Sequence, residues 1–179
     1  FALCVGTSLE EAYAGAQHML AIGPAEYGAM VSACASLTRM EPKDVDASMG
    51  LISHLWFVRA SRPFPAKNRI WQYGISGDLP IICCESAEET EALTRQFCLI
   101  RSCGVYADLV FLTDEGGEYY RPVYGKVRDT LAAHGLEALI GTYAGVRILP
   151  TEAADIIKSA AAYIVGEDAP ERSCGSAYR

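Results

Sequence analysis

The sequence predicts an α/β fold: a three-layer domain with a short parallel sheet, preceded by a layer of N-terminal helices. Three observations predict it. Leu79 to Cys84 is an apolar run without polar alternation, the pattern of a strand buried on both faces. Downstream of it, helix-like and strand-like segments alternate, and strands joined through helices run parallel. Upstream, Leu9 to Trp56 reads as three consecutive helices with short connections, a helical hairpin layer.

The elements follow in order. Thr7-Ser8 precedes Leu9, Ala12, Tyr13, Ala16 and Leu20, one apolar face of a helix, and Ser8 with Glu11 has capping-box spacing. Gly23-Pro24 separates this helix from the next, with Pro24 in its first turn. Tyr27, Met30, Val31, Cys34 and Leu37 make the second apolar face. Pro42 opens a third helix, with Val45, Met49, Ile52 and Trp56 on one side. Arg59 to Arg69 holds Pro63, Pro65 and four basic residues, Arg59, Arg62, Lys67 and Arg69, and reads as an extended, solvated connector.

Pro80 suits the start of the central strand, where no donor N–H is needed. Ser86 and Glu89 have the spacing of a second capping box, followed by Leu93, Phe97 and Ile100 on one helix face and Gly104 as its stop. Ala107 to Thr113 is the second predicted strand. Arg121 to His134 is helical through Val123, Val127 and Leu131, and Gly135 closes it. Val146 to Leu149 is the third strand. Thr151 is read as the cap of a last helix, with Ile156, Ile157, Ala160 and Ile164 inward and Gly166 as its end. Phe1 to Val5 reads as a further strand, and a chain opening inside a strand is expected of a piece of a longer protein. Three regions are therefore expected: 1–69 with the helices and basic connector, 70–168 as the α/β domain, and 169–179 as a flexible tail.

Composition narrows the function. The chain has 179 residues, enough for one domain with a helical extension, and 51% of them are hydrophobic, enough for a substantial core. Its net charge of -7, with no Lys/Arg cluster, argues against nucleic acid as a partner. No apolar run reaches the roughly 18–20 residues of a membrane helix, so a cytoplasmic location is expected. Seven cysteines stand at 4, 34, 83, 84, 98, 103 and 174, none in a CxxC pair. Three scattered histidines add no zinc spacing. An odd count in a large domain suits reduced, structural thiols.

Candidate chemistry is sparse. Ligands of open parallel sheets gather at the carboxyl ends of strands. Those ends carry Glu85, Asp114, Glu115 and Glu152, weak candidates for ligand binding that equally suit helix starts. Gly74-Ile-Ser-Gly77-Asp78 precedes a strand, whereas a phosphate loop follows one, so it reads as a turn, with Asp78 capping backbone N–H groups. Trp71 and Tyr73 flank that turn and are assigned, with Gly74, Gly77, Asp78 and Pro80, a structural or interface role. No catalytic residue, metal ligand or cofactor is assigned, because no nucleophile–base pair has the needed spacing.

The run Ile70-Trp-Gln-Tyr-Gly-Ile-Ser-Gly-Asp-Leu-Pro-Ile-Ile82 resembles a Leu-Trp-x-Tyr-Gly-Ile-Ser-Gly-Asp-x-Pro-Ile signature. That signature belongs to cyclic β-1,2-glucan synthases and the related β-glucan, cellobiose-type phosphorylases. Glu91 to Gln96, Asp108 to Leu112, Glu115 to Tyr119 and Val5 to Glu11 are similar to further segments of that family. The chain departs from it at Ile70, at Cys83-Cys84-Glu85 and at Thr113. The resemblance implies the non-catalytic α/β region of a glycosyltransferase or glycoside phosphorylase. In that family this region lies between a β-sandwich and an (α/α) barrel that carries the catalytic groups. Its partners would be those neighbouring domains, with β-glucan a further candidate, and the longer protein could be attached to the inner membrane. The rival reading is a flavodoxin-like domain that binds a small molecule or glycan at the strand carboxyl ends.

Overall fold

The computed structural model describes residues 7–56, 67–117 and 120–166. The expected strand Phe1–Val5, most of the basic connector, the tail 169–179, Cys4 and Cys174 lie outside the described residues. The chain divides into two compact units, residues 1–46 and 47–179. The division falls inside the third helix, not at residue 69, so that helix's second half belongs with the sheet.

In the first unit, helix α1 (Leu9–Ala21) starts as its sequence directs. The Glu11 N–H donates to Ser8 Oγ, while the Glu11 carboxylate reaches back to the N–H and hydroxyl of Thr7. Those two Thr7 hydrogen bonds hold the Glu11 carboxyl below its ordinary range. Helix α2 (Pro24–Thr38) ends with Arg39 in the left-handed region, φ 56°. Tyr27 donates to Asp46 at 2.7 Å. The apolar faces differ from expectation. Leu9, Tyr13 and Leu20 point outward at 89%, 64% and 65% exposure, and Tyr27 and Met30 are exposed as well; among the described side chains of α2, which do not include Leu37, Val31 and Ala35 are buried. Helix α3 (Pro42–Trp56) buries Val45, Ser48, Leu51 and Leu55, while Met49 is exposed. Of the expected stripe, Val45 is buried and Ile52 is half-buried against the core, while the Trp56 side chain lies outside those described.

The second unit is built on four parallel strands in the order β3-β2-β1-β4. They are β1 (Ile81–Cys84), β2 (Asp108–Thr113), β3 (Val146–Pro150) and β4 (Tyr163–Ile164). Ile81 lies opposite Asp108, Leu109 opposite Val146, and Ile82 opposite Tyr163. Every residue of β1 and β2 is buried, as a doubly covered sheet requires. The period of two then sorts their side chains. Ile82, Cys84, Leu109 and Phe111 pack with Leu51 and Leu55 of α3, Leu93 and Phe97 of α5 (Thr90–Ser102), and Val127 and Leu131 of α6 (Pro122–Ala133). Ile81, Cys83, Val110 and Leu112 pack with Ile70 of α4 (Lys67–Trp71) and Ile157 of α7 (Ala154–Ala160). These are the three expected layers. Steps from β1 to β3 cross one face and the return to β4 crosses the other, which keeps one hand throughout.

Four local expectations are corrected. Lys67–Trp71 is a helical turn, not extended connector. Helix α5 begins at Thr90 with Glu89 at its N-cap and no side-chain cap, so Ser86 lies in the turn before it, where its carbonyl accepts from the Thr90 hydroxyl and the Cys84 thiol. Thr151 opens a short 3-10 turn, Thr151–Ala153, and caps nothing. The last helix stops at Ala160, and Ile164 sits on β4. The N–H groups of Ala162 and Val165 donate to the Ile81 and Cys83 carbonyls, filling an edge of β1 that would otherwise be unpaired.

Candidate functional site

The distinctive stretch around Gly74 to Pro80 builds a clamp at the amino edge of the sheet. Gly74 (φ +73°) and Gly77 (φ +75°) supply left-handed conformations that side chains resist. The Ser76 hydroxyl accepts from the Asp78 N–H, and the Trp71 indole N–H donates to the Ser76 carbonyl at 3.0 Å. Asp78 does not cap the turn as expected. It pairs with Lys67 at 2.9 Å, and Lys67 holds its carboxyl below the ordinary range. Trp71 is 60% exposed, whereas Tyr73 is partly buried against the α4/α7 core. The Pro80 carbonyl accepts from the Asp108 N–H, joining the turn to β2.

Arg147 of β3 extends this clamp. Its guanidinium donates to the Gly74 carbonyl and, at 2.7 Å, to the Thr142 carbonyl. Asp108 is buried nearby, and burial pushes its carboxyl above the ordinary range; the Arg147 charge and the N–H groups of Gly145 and Ala144 oppose that rise. Ala144 itself is left-handed, φ 51°, with its carbonyl held by Arg101. The polar groups here are engaged with the protein's own backbone.

The opposite edge carries the four candidate carboxylates. Asp114, Glu115 and Glu152 line one open cleft of about 390 Å³ with Arg121 and Thr151. Glu85 is not among them. It forms an ion pair with Lys158 of α7 and lines a separate pocket of about 160 Å³ that also touches Asp114. Glu115 accepts from the N–H groups of Val123 and Tyr124, capping α6 with both oxygens. Asp114 accepts from the Gly116 N–H at 2.9 Å, which closes a turn. The Arg121 guanidinium stacks 4.5 Å from the Tyr124 ring centre. Among the described residues no group of three or more His, Cys, Asp and Glu side chains could hold a metal ion.

A third concavity was not foreseen from the sequence. It lies between α3, α5 and β4, has a volume of about 210 Å³, and is lined by Gly50, His54, Glu89, Gln96, Tyr163 and Val165 among others. The His54 and Tyr163 rings meet with centres 5.1 Å apart. Its residues come from three distant segments, and one of them is on the unforeseen β4. The only local sign was a glycine inside a predicted helix, Gly50.

No protein-family model, curated protein or solved structure matches this chain. No helix of the described residues is long and apolar enough to cross a membrane.

Proposed function

We propose that this chain is an accessory domain of a carbohydrate-active enzyme acting on β-glucans, a glycoside phosphorylase or cyclic β-1,2-glucan synthase. It works by packing against neighbouring domains. The reading rests on the resemblance carried by Ile70 to Ile82. The observation that favours a structural role is how that stretch is spent: Gly74, Ser76, Asp78 and Trp71 bond to one another, to Lys67 and to Arg147. A catalytic loop would leave such groups facing a substrate. The outward stripe Leu9, Tyr13 and Leu20 supplies apolar surface of the kind a neighbouring domain covers.

Two measurements test this. The coding sequence beyond Arg179 is expected to encode a helical barrel, and a different domain there overturns the reading. The 179-residue chain, incubated with β-glucan oligosaccharides and phosphate, is expected to release no sugar phosphate. Turnover that disappears on mutating a residue of this chain would make the domain catalytic.

The second reading, ligand binding at the strand carboxyl ends, is favoured by the cleft that Asp114, Glu152 and Arg121 share. The strand order β3-β2-β1-β4 separates it from flavodoxin-like sheets, whose order is 2-1-3-4-5.

A further inference from the structure

We infer that the pocket between α3, α5 and β4 binds one neutral polyhydroxylated ring, a hexose-sized polyol, through Gln96, Glu89 and the aromatic wall of Tyr163. Its volume of about 210 Å³ lies below the ~300–1,000 Å³ of pockets for drug-sized ligands, so it suits a single ring. Tyr163 and Val165 bring β4 to the pocket, and α3 and α5 supply its other walls.

The lining has the chemistry of a polyol site. Leu51, Leu93 and Val165 give an apolar floor for ring C–H groups, and the packed His54 and Tyr163 rings add aromatic surface. The half-buried Gln96 carboxamide, on this lining, has no hydrogen-bond partner in the protein among the described residues, although it carries two donors and an acceptor. Glu89 likewise makes no side-chain cap to α5, leaving its carboxylate to accept from hydroxyls. Glu89 and Gln96 stand about two turns apart along α5, so they suit hydroxyls at opposite ends of a ring, groups that both donate and accept. A carboxylate on the lining disfavours an anion.

Gly50 is the independent observation. It lies inside α3, where glycine weakens a helix relative to alanine. No packing explains it: a β-carbon there would meet nothing within 4 Å. Instead it lines the pocket and keeps that wall low. The inference stands on this pocket and does not depend on the accessory-domain reading.

The test is a titration of the isotope-labelled 179-residue chain with D-glucose, followed by amide shifts in NMR, with acetate as the anionic comparison. The expected result is saturable shifts at Gly50, Val165 and the Gln96 side-chain NH₂, with none from acetate. Gln96→Leu and Gly50→Leu are each expected to weaken binding about tenfold or more, as loss of a hydrogen bond or of space would. Gly50→Leu should keep or raise the thermal midpoint, since leucine favours the helix, so lost binding cannot be put down to unfolding. Absence of shifts at saturating glucose, shifts from acetate alone, or binding undiminished in both variants would overturn the proposal. None of these outcomes bears on what the coding sequence beyond Arg179 encodes, so the two readings fail separately.

Discussion

Ile70 fills the space that a side chain on residue 77 would need. A β-carbon built on Gly77 would stand 2.6 Å from Ile70 Cδ1, and Ile70 is fully buried, so its methyl has nowhere to go. Gly77 also holds φ +75°, which a β-branched residue resists. Gly77→Val is therefore expected to cost on the order of 1–3 kcal/mol from strain alone, with the overlap added. Ser76→Ala removes one hydrogen bond, the acceptor of the Asp78 N–H, and should cost about 1 kcal/mol. Urea denaturation of the two variants checks the order; equal midpoints would refute it.

Arg147 is expected to matter through both of its partners. Arg147→Met removes donors from the Gly74 and Thr142 carbonyls and should cost about 2 kcal/mol at neutral pH. It also removes the charge that opposes the rise in the Asp108 pKa. A carboxyl whose folded pKa is raised binds its proton more tightly folded than unfolded. Its contribution is thus most favourable below the unfolded value and declines as pH rises through the folded one. Without Arg147 the folded value moves higher still. The deficit of the variant should therefore widen from about pH 4 upward, a range set by the ordinary Asp value. A constant difference between wild type and variant across that range would contradict this.

Glu115 is expected to be structural although it stands at the ligand end of the sheet. Glu115→Ala leaves the Val123 and Tyr124 N–H groups at the start of α6 without their acceptor, and should cost about 1–2 kcal/mol. Glu152→Ala, which removes no such bond, should stay within about 0.5 kcal/mol. Chemical denaturation distinguishes the two; equal effects would mean that the cap carries no stability.

What was legible in the sequence follows the range of the forces involved. β1 and β2 were readable because an unbroken apolar run is a local signal, and burial on both faces follows from it. β4 was not, because two residues carry no period; Tyr163–Ile164 is a strand only because the Ile81 and Cys83 carbonyls lie beside its backbone. The α1 pattern marked an apolar face correctly but could not say whether anything covers it, and Leu9, Tyr13 and Leu20 face outward. Topology brought Asp114, Glu115 and Glu152 to one cleft, yet the bond from Glu115 to backbone eight and nine residues on has no sequence signature. The pocket of His54, Gln96 and Tyr163 needed the whole chain path.

The cysteines are expected to remain reduced. Cys34, Cys83, Cys84, Cys98 and Cys103 are not bridged by disulfides. Cys83 and Cys84 lie in opposite cores, so a bond between them would distort the strand. Burial, the main cause, pushes the Cys84 thiol up to about 11, leaving little thiolate near neutrality. Alkylation of the native protein, mapped by mass spectrometry, should label exposed Cys103 and spare Cys83 and Cys84. Thiol titration of the denatured, unreduced chain should count all seven. A count of five or fewer, or early labelling of Cys84, contradicts the assignment.

Trp71 separates a turn clip from an interface anchor. Its indole is 60% exposed, and its N–H donates to the Ser76 carbonyl, so in this chain the residue acts chiefly through that bond. Trp71→Phe removes the N–H and keeps an aromatic face; Trp71→Ala removes both. Within the 179-residue chain each is expected to lose about 1 kcal/mol, because the missing ring was largely in water. In the longer enzyme proposed here a covered tryptophan would be a binding hot spot, where truncation to alanine costs about 2 kcal/mol or more. There Trp71→Ala should fall below Trp71→Phe in thermal stability, with glucan affinity of the folded fraction little changed. Equal losses in both settings would remove the interface role. Lost oligosaccharide binding at an unchanged melting temperature would make the amino edge of the sheet a glycan surface.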